Sequence, residues 1–451
     1  MPVILPIPYR EPLVAFAPLA GAAGAVLLES ACAGSGEGRF SYLGVEPVRL
    51  LRAPGGGGDP FAAVARELAG WPRLPAGAPV PFTGGAIGFF GYELGGWLET
   101  LPPPRPDELG VPEMVVGLYH SIAAFDHQRR QAWVVSRGGS DQAAALAARL
   151  GAAPLGEPEF QPEEEALVWR ADFSPEAYRR RVERVIGYIR AGDIFQANFT
   201  QRFQARRPAG LSGFDLYRRL RALSPAPFAA YLNCGAGVEL VSASPERFLS
   251  LEAGGRVATW PIKGTRPRGA TPEEDRRLRA ELVASAKDHA ENLMICDLMR
   301  NDLGRVCEIG SIRVPELAAP RSFASVHHLV SVVEGRLRPG LGPLDLLRAT
   351  FPGGSVTGAP KIRAMEIIRE LESARRGPYC GAIAWIGGDG AMDSSIVIRT
   401  LTVTPDRLIA QAGGGIVAES CPEAEYQEML TKVHPLLAAA GSVRLEYDLA
   451  E

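Results

Sequence analysis

An α+β fold built on antiparallel sheets is predicted for this chain, and three observations predict it. Helical and strand-like stretches come in runs with no steady βαβ alternation. A hairpin is written into residues 121–136. No internal repeat occurs at solenoid periods. At 451 residues, with 46% hydrophobic and 22% charged residues, the chain is long and apolar enough to bury a core and is not a disordered polymer. Forty-eight Lys+Arg against 51 Asp+Glu leave a net charge of −3, which gives no global case for a nucleic-acid or membrane surface, so local sites must carry the function.

Taken in order, the first 150 residues read as strands and loops. Turn-rich stretches such as Ala53-Pro-Gly-Gly-Gly-Gly-Asp59 and Leu101-Pro-Pro-Pro-Arg-Pro106 punctuate them. Ser121 to Ser136 supplies two β-rich arms around Asp126-His-Gln-Arg-Arg130. The Pro- and Glu-rich stretch from Gly151 to Ala166 is the best boundary, dividing an amino-terminal portion, 1–165, from a portion spanning 166–445. Ser174 then caps a helix that begins at Pro175, in which Tyr178, Val182, Val185, Ile186 and Ile189 share a face until Gly192. Thr271-Pro-Glu-Glu274 has capping-box spacing, and the charged stretch after it leads into a helix from about Ala286 to Leu303, stopped by Gly304. Pro360 and Pro422 stand where two more helices start; Pro378–Ile386, Ser394–Val403 and Leu408–Val417 read as strands.

The uncharged stretch from Pro12 to Leu28 is interrupted by Pro18, so no leader is expected, and nothing approaches the ~20 apolar residues of a membrane span. Cys32, Cys234, Cys296, Cys307, Cys380 and Cys421 lack any ligand-like spacing with one another or with the six histidines, which fits a reduced, cytoplasmic setting.

Several constellations could carry chemistry. Asp288 with Glu291, and Glu425 with Glu428, each place two acids three residues apart on a helix face. Two such faces could hold a hard cation such as Mg²⁺, although acids at this spacing also make ordinary solvated faces. Gly353 to Lys361 has the glycine interval of a P-loop, but Ala359-Pro360 stands where Gly-Lys is required; what survives is a capped helix start or an anion site. Gly413-Gly-Gly415 inside a strand marks either a bulge or a close approach to the backbone. Arg399, ending an apolar run, calls for a carboxylate partner from protein or ligand. Lys263 is either a surface lysine or, once deprotonated, a nucleophile. His327 and His328, if on a strand, face opposite ways.

In their order these residues resemble the chorismate-utilising enzymes. The resemblance rests on Ser285–Arg305 with its Asp288-His-Ala-Glu291, on Val326-His-His-Leu-Val-Ser331, Gly354–Lys361, Ala412–Val417 and Glu425-Tyr-Gln-Glu428, in register from about Phe173 onwards. It is looser at Leu27-Leu-Glu-Ser30, Arg39–Gly44 and Gly84–Glu93. It implies an anthranilate-synthase-like fold of two packed antiparallel sheets flanked by helices, with the amino-terminal portion built into the same body.

Carried over position by position, the resemblance implies Mg²⁺ on Glu291 and Glu428, supported by Asp288 and Glu425. It implies a ring-carboxylate cradle at Gly413, Gly414 and Gly415, a clamp of Arg399 and Tyr379 on the pyruvyl carboxylate, and His328 and Ser355 beside the ring; Lys361 matches a family lysine. Gln196 stands where the isochorismate-forming branch has a water-activating lysine, and Lys263 where the anthranilate-forming branch has alanine. That combination implies the branch that aminates chorismate to 4-amino-4-deoxychorismate, towards para-aminobenzoate and folate. Lys263 would be its nucleophile and Glu246 its general acid. Lacking a glutamine amidotransferase segment, the chain would take ammonia from a separate amidotransferase subunit, or free ammonium at high concentration. Leu28, Glu29, Ser30, Pro225 and Phe228 resemble the family's tryptophan pocket. The rival readings are the anthranilate-forming branch, or a silent scaffold that binds chorismate or tryptophan without turnover.

Overall fold

A computed structural model describes residues 2–31, 38–54, 58–71, 77–152, 166–323 and 326–447. Most of the boundary stretch 151–166, together with Gly55–Gly57 and Cys32, lies outside the described residues.

Among the described residues there are two large sheets, of thirteen and ten strands. The larger runs from Val3–Ile7 through Gln131–Ser136, Ser121–Asp126, Phe40–Gly44 and Val26–Glu29 to Phe228–Asn233. It continues through Glu239–Ser244, Thr400–Val403, Arg407–Ile416, Gln196–Arg206 and Leu167–Ala171 to Val443–Tyr447. The smaller likewise joins Gly85–Phe90, Met114–Tyr119 and Arg49–Ala53 to strands from beyond residue 246. Both sheets therefore mix strands from either side of residue 166. Pairing is antiparallel except where Val443–Tyr447 lies parallel to Leu167–Ala171.

The sheets pack face to face over a layer that includes Tyr42, Phe82, Tyr119, Leu240 and Trp385, with strands of both sheets contributing. Helices cover the outer faces. Pro175–Arg190 and Pro422–Ala439 bury Tyr178, Val182, Met429 and Val433 on the larger sheet. Pro60–Leu68 and Ala286–Gly304 bury Phe61, Ile295 and Met299 on the smaller. The start signals read from sequence act as expected. Ser174 Oγ accepts from the Ala177 N–H at 3.2 Å, and Ser285 Oγ from that of Asp288 at 3.3 Å.

Two stretches depart from the sequence reading. Residues 394–403 form no single strand: Met392–Ile396 belongs to the smaller sheet and Thr400–Val403 to the larger, so the chain crosses between sheets at 397–399. The turn leaves Arg399 with φ +52°, a left-handed conformation uncommon outside glycine. Residues 378–381 likewise form a turn before the strand Ala382–Gly387. No described helix is long and apolar enough to cross a membrane. The described cysteines are unpaired, buried except for Cys421.

Candidate active site

The glycine run sits in an unbroken register against the strand Gln196–Arg206: Gly413 pairs with Thr200, Gly414 with Phe199 and Gly415 with Asn198. The run is thus no bulge; its glycines permit close approach. A Cβ on Gly414 would stand 3.1 Å from Glu425 Oε2 and 3.6 Å from Lys432 Nζ, while one on Gly415 would stand 2.8 Å from Gln196 Nε2. Gln196 is fully buried, and both polar atoms of its amide lack a partner within the described residues. A buried amide left so costs about 1–3 kcal/mol, so it marks a place where a ligand or water completes the bonding.

The acidic pairs arrive from two helices, Ala286–Gly304 and Pro422–Ala439. Lys287 joins them, its Nζ 3.8 Å from Glu291 Oε1 and 3.8 Å from Glu425 Oε1. Glu425 is buried and accepts from Ser420 Oγ at 2.7 Å; Glu428 meets Lys432 Nζ at 2.6 Å, and Asp288 meets Arg266 at 3.2 Å. Burial raises the Glu291 carboxyl above its ordinary value, against the charges of Lys263 and Lys287. Partial burial also pushes Glu428 upward, but Lys432, with Lys287 and Lys263 behind it, holds that carboxyl below its ordinary value.

By its chemistry this donor set fits a hard divalent cation, being all carboxylate oxygen with lysine ammonium groups standing where positive charge is wanted. Among the described residues no three of the acids converge on one point, and Mg²⁺ typically takes only one or two carboxylates plus water and ligand oxygens.

Facing this cluster is Lys263, on the strand Ile262–Pro267. The register against Val326–Arg336 slips between Lys263 and Thr265, at Gly264 with φ +72°, and such a bulge re-aims the neighbouring side chain. The Lys263 charge acts on three carboxyls from different elements, Glu246, Glu291 and Glu428. Glu246 is buried; burial raises its carboxyl above the ordinary value, opposed by a hydrogen bond from Ser355 and by the charges of Lys263 and Lys432. His328 Nδ1 lies 2.9 Å from Thr265 Oγ1, and burial drives the imidazole down to about 4, leaving it neutral at pH 7. His327 points elsewhere, with Nε2 3.0 Å from Asp275 Oδ1.

Arg399 lies at the sheet crossing, and among the described residues its guanidinium has no ion-pair partner. Burial lowers its affinity for a proton, with Tyr379 and Glu428 acting the other way. Tyr379 is buried next to Cys380, whose φ is +63°. A desolvated, unpaired guanidinium is a carboxylate receptor. Lys361 is not available to an anion: its Nζ donates to Asp302 Oδ2 at 2.7 Å and to the Thr350 carbonyl at 2.8 Å.

Apart from this site, a cavity of about 280 Å³ between the sheets is lined by Leu28, Glu29 and Phe228, together with Arg39, Arg247 and Trp385. Ser30 and Pro225 are not in its lining, and Pro227 takes the place expected for Pro225. Glu29 is held by Arg221 at 2.8 Å and Tyr217 at 2.8 Å, so its charge is already compensated. Sequence reasoning passed over Lys287 and Lys432, although each lies four positions from an acid it pairs with, at helical spacing.

The profile of the chorismate binding enzyme family matches residues 30–438. The chain is 43% identical to aminodeoxychorismate synthase component 1 of Klebsiella aerogenes, over 97% of this chain and 98% of that one. It is 42% identical to anthranilate synthase component 1 of Thermus thermophilus, over 96% and 97%. Anthranilate synthase component I from Streptococcus pneumoniae superposes with a TM-score of 0.79 at 34% identity, over 88% of this chain and 92% of that one.

Proposed function

The chain belongs to the chorismate-binding enzyme family and acts on chorismate, and we propose that it aminates this substrate to 4-amino-4-deoxychorismate. The observation that carries the reading is the position of Lys263, an amine on a bulged strand amid the carboxyls of Glu246, Glu291 and Glu428. An amine so placed can act as a nucleophile beside a proton donor, and the Glu246 carboxyl, raised by burial, suits that donor.

In this reading Gly413, Gly414 and Gly415 leave room for the ring carboxylate, and Arg399 with Tyr379 receives the pyruvyl carboxylate. Lys263 first passes its proton to the Glu246 carboxylate; the freed amine forms a C–N bond at the ring carbon as the C–O bond breaks, and Glu246 gives that proton to the departing hydroxyl, which leaves as water. Ammonia then forms its own C–N bond at that carbon, the lysine amine leaves, and the surplus proton returns to Glu246. Glu291 and Glu428 would hold Mg²⁺, with Asp288 and Glu425 behind them; when bound it supplies positive charge for the ring carboxylate and offsets the two acids that Lys263 faces. Ser355 orients Glu246, and neutral His328 is a hydrogen-bonding group for the ring. Gln196 cannot serve as the base that a water-adding enzyme requires.

Ammonia is assigned to a separate glutamine amidotransferase subunit, in keeping with the "component 1" names of the relatives. The inter-sheet cavity at Leu28, Glu29 and Phe228 is assigned to tryptophan. Incubating the purified chain with chorismate, Mg²⁺ and ammonium tests the whole. Accumulation of 4-amino-4-deoxychorismate without pyruvate is expected; pyruvate release with fluorescent anthranilate would give the enzyme to the anthranilate-forming branch, which the Thermus relative favours.

A further inference from the structure

The segment Gly84–Glu93 and the side chain of Arg376 take no part in the chemistry above, yet they meet directly behind it. Arg376 is 2% exposed. Its Nε and Nη2 donate to the Glu372 carboxylate at 2.9 and 2.7 Å, Nη1 to the Val356 carbonyl at 2.8 Å, and Nη2 also to the Asn198 carbonyl at 2.5 Å. The guanidinium lies 4.5 Å from the centre of the Tyr92 ring. Its main chain is held as well. The Arg376 N–H donates to Glu93 Oε1 at 2.9 Å, the Gly377 N–H to Glu93 Oε2 at 2.9 Å, and the Arg376 carbonyl accepts from Gln411 Nε2 at 2.9 Å.

Each of these partners adjoins a residue of the candidate site. Asn198 follows Gln196 by two positions on one strand, Val356 follows Ser355, Gln411 precedes Gly413 by two, and Arg376 opens the turn that carries Tyr379. A guanidinium offers its donors in a rigid planar fork, so it fixes distance and angle between two carbonyls, which a lysine ammonium cannot. Burying it is costly, and an apolar side chain would serve stability as well. We propose that Arg376 is a positioning residue. Its fork sets the spacing between the strand bearing Gln196 and the turn bearing Ser355; from the amino-terminal portion Tyr92 packs against the fork and Glu93 holds the main chain that carries it. The inference rests on the reading of Glu246 as proton donor and Ser355 as its partner.

The polar groups acting on Glu246 are Ser355, Lys263 and Lys432, and only Ser355 rides on a segment that Arg376 grips. The Ser355 hydroxyl holds the Glu246 carboxyl down, so releasing it moves the alkaline limb of kcat, where Glu246 loses its proton, to higher pH. The test compares Arg376→Lys with Ser355→Ala, both on protein shown folded by circular dichroism and well below its melting temperature. Arg376→Lys is expected to lower kcat by about tenfold or more, to change KM for chorismate by less than about threefold, and to shift the limb in the same direction as Ser355→Ala. A folded Arg376→Lys with wild-type kcat and limb and only a lower melting temperature would reduce Arg376 to a brace and overturn the inference. A wild-type limb in Ser355→Ala would instead defeat the reading of Ser355 and Glu246, and the inference with it. Should Arg376→Lys not fold, Tyr92→Leu carries the test. It removes the ring under the fork and leaves every hydrogen bond of the fork in place, and a folded Tyr92→Leu with wild-type kcat and limb would equally overturn it.

Discussion

A methyl group on Gly415 would stand 2.8 Å from the side-chain nitrogen of Gln196, so the fully buried amide and the glycine backbone share one space. Gly415→Ala must push the amide aside. The expected result is a KM for chorismate raised by about tenfold or more with a melting temperature lowered only slightly, because the Gln196 amide has no protein partner to lose. Steady-state kinetics beside a thermal melt measures both; an unchanged KM would remove Gln196 and Gly415 from the ligand's surroundings.

Lys263→Ala separates binding from chemistry. Amination is expected to fall by about a hundredfold or more while the dissociation constant for chorismate stays within about threefold, since the carboxylate receptors at Arg399 and the glycine strand are untouched. Product analysis with calorimetric titration of chorismate decides it. Undiminished turnover takes the nucleophile's role from Lys263.

Chelation of divalent ions is expected to stop turnover and added Mg²⁺ to restore it. Glu428→Gln should lose both the rate and its response to Mg²⁺, and Glu291→Gln should raise the Mg²⁺ concentration needed for half-maximal rate by about tenfold or more. Binding of Mn²⁺, read by electron paramagnetic resonance, checks the site without relying on activity. Wild-type protein that neither binds Mn²⁺ nor responds to Mg²⁺ contradicts the assignment.

His328 should make the fold acid-sensitive. Burial drives its imidazole down to about 4, below the value of 6.5 that the unfolded chain has, so between those values the unfolded chain takes up the proton first. Its contribution to stability is therefore intact above pH 6.5 and lost as pH falls towards 4, by at most about 3 kcal/mol. Urea midpoints measured from pH 7 to pH 4 should fall less steeply in His328→Asn; identical slopes would contradict the shift.

L-Tryptophan is expected to raise the melting temperature, with about 2.7 kcal/mol of added stability at a hundredfold excess over its dissociation constant. Phe228→Ala, in the cavity lining, should weaken that effect. No shift at millimolar tryptophan would leave the cavity to another occupant.

Much of the framework was legible because its signals are local. Ser174 and Ser285 announce helix starts by capping within three residues, and the hairpin arms at 121–126 and 131–136 are β-rich segments paired about a short turn. The pairing of acids on the two helix faces was equally visible, since positions three apart share a face. The kink at Arg399 was not visible, because a strand that passes from one sheet to the other reads locally like one continuous strand. The lysines that pair with the acids were within reach of the same spacing rule. Arg376 has one such partner, Glu372 four positions back and just past the helix end at Leu371, but its partners Asn198, Val356 and Glu93 lie far from it along the chain.

By itself, then, the amino-acid order determined the α+β class, the family likeness and the residue types available for chemistry, since propensity, capping and patterning act over a few neighbours. Only the tertiary structure decided which of those residues share a space: Lys263 opposite the acids of two helices, Gln196 against Gly415, and an amino-terminal segment gripping the back of the site through Arg376. Such meetings depend on sheet register and on burial, which many distant residues settle together and no short stretch encodes.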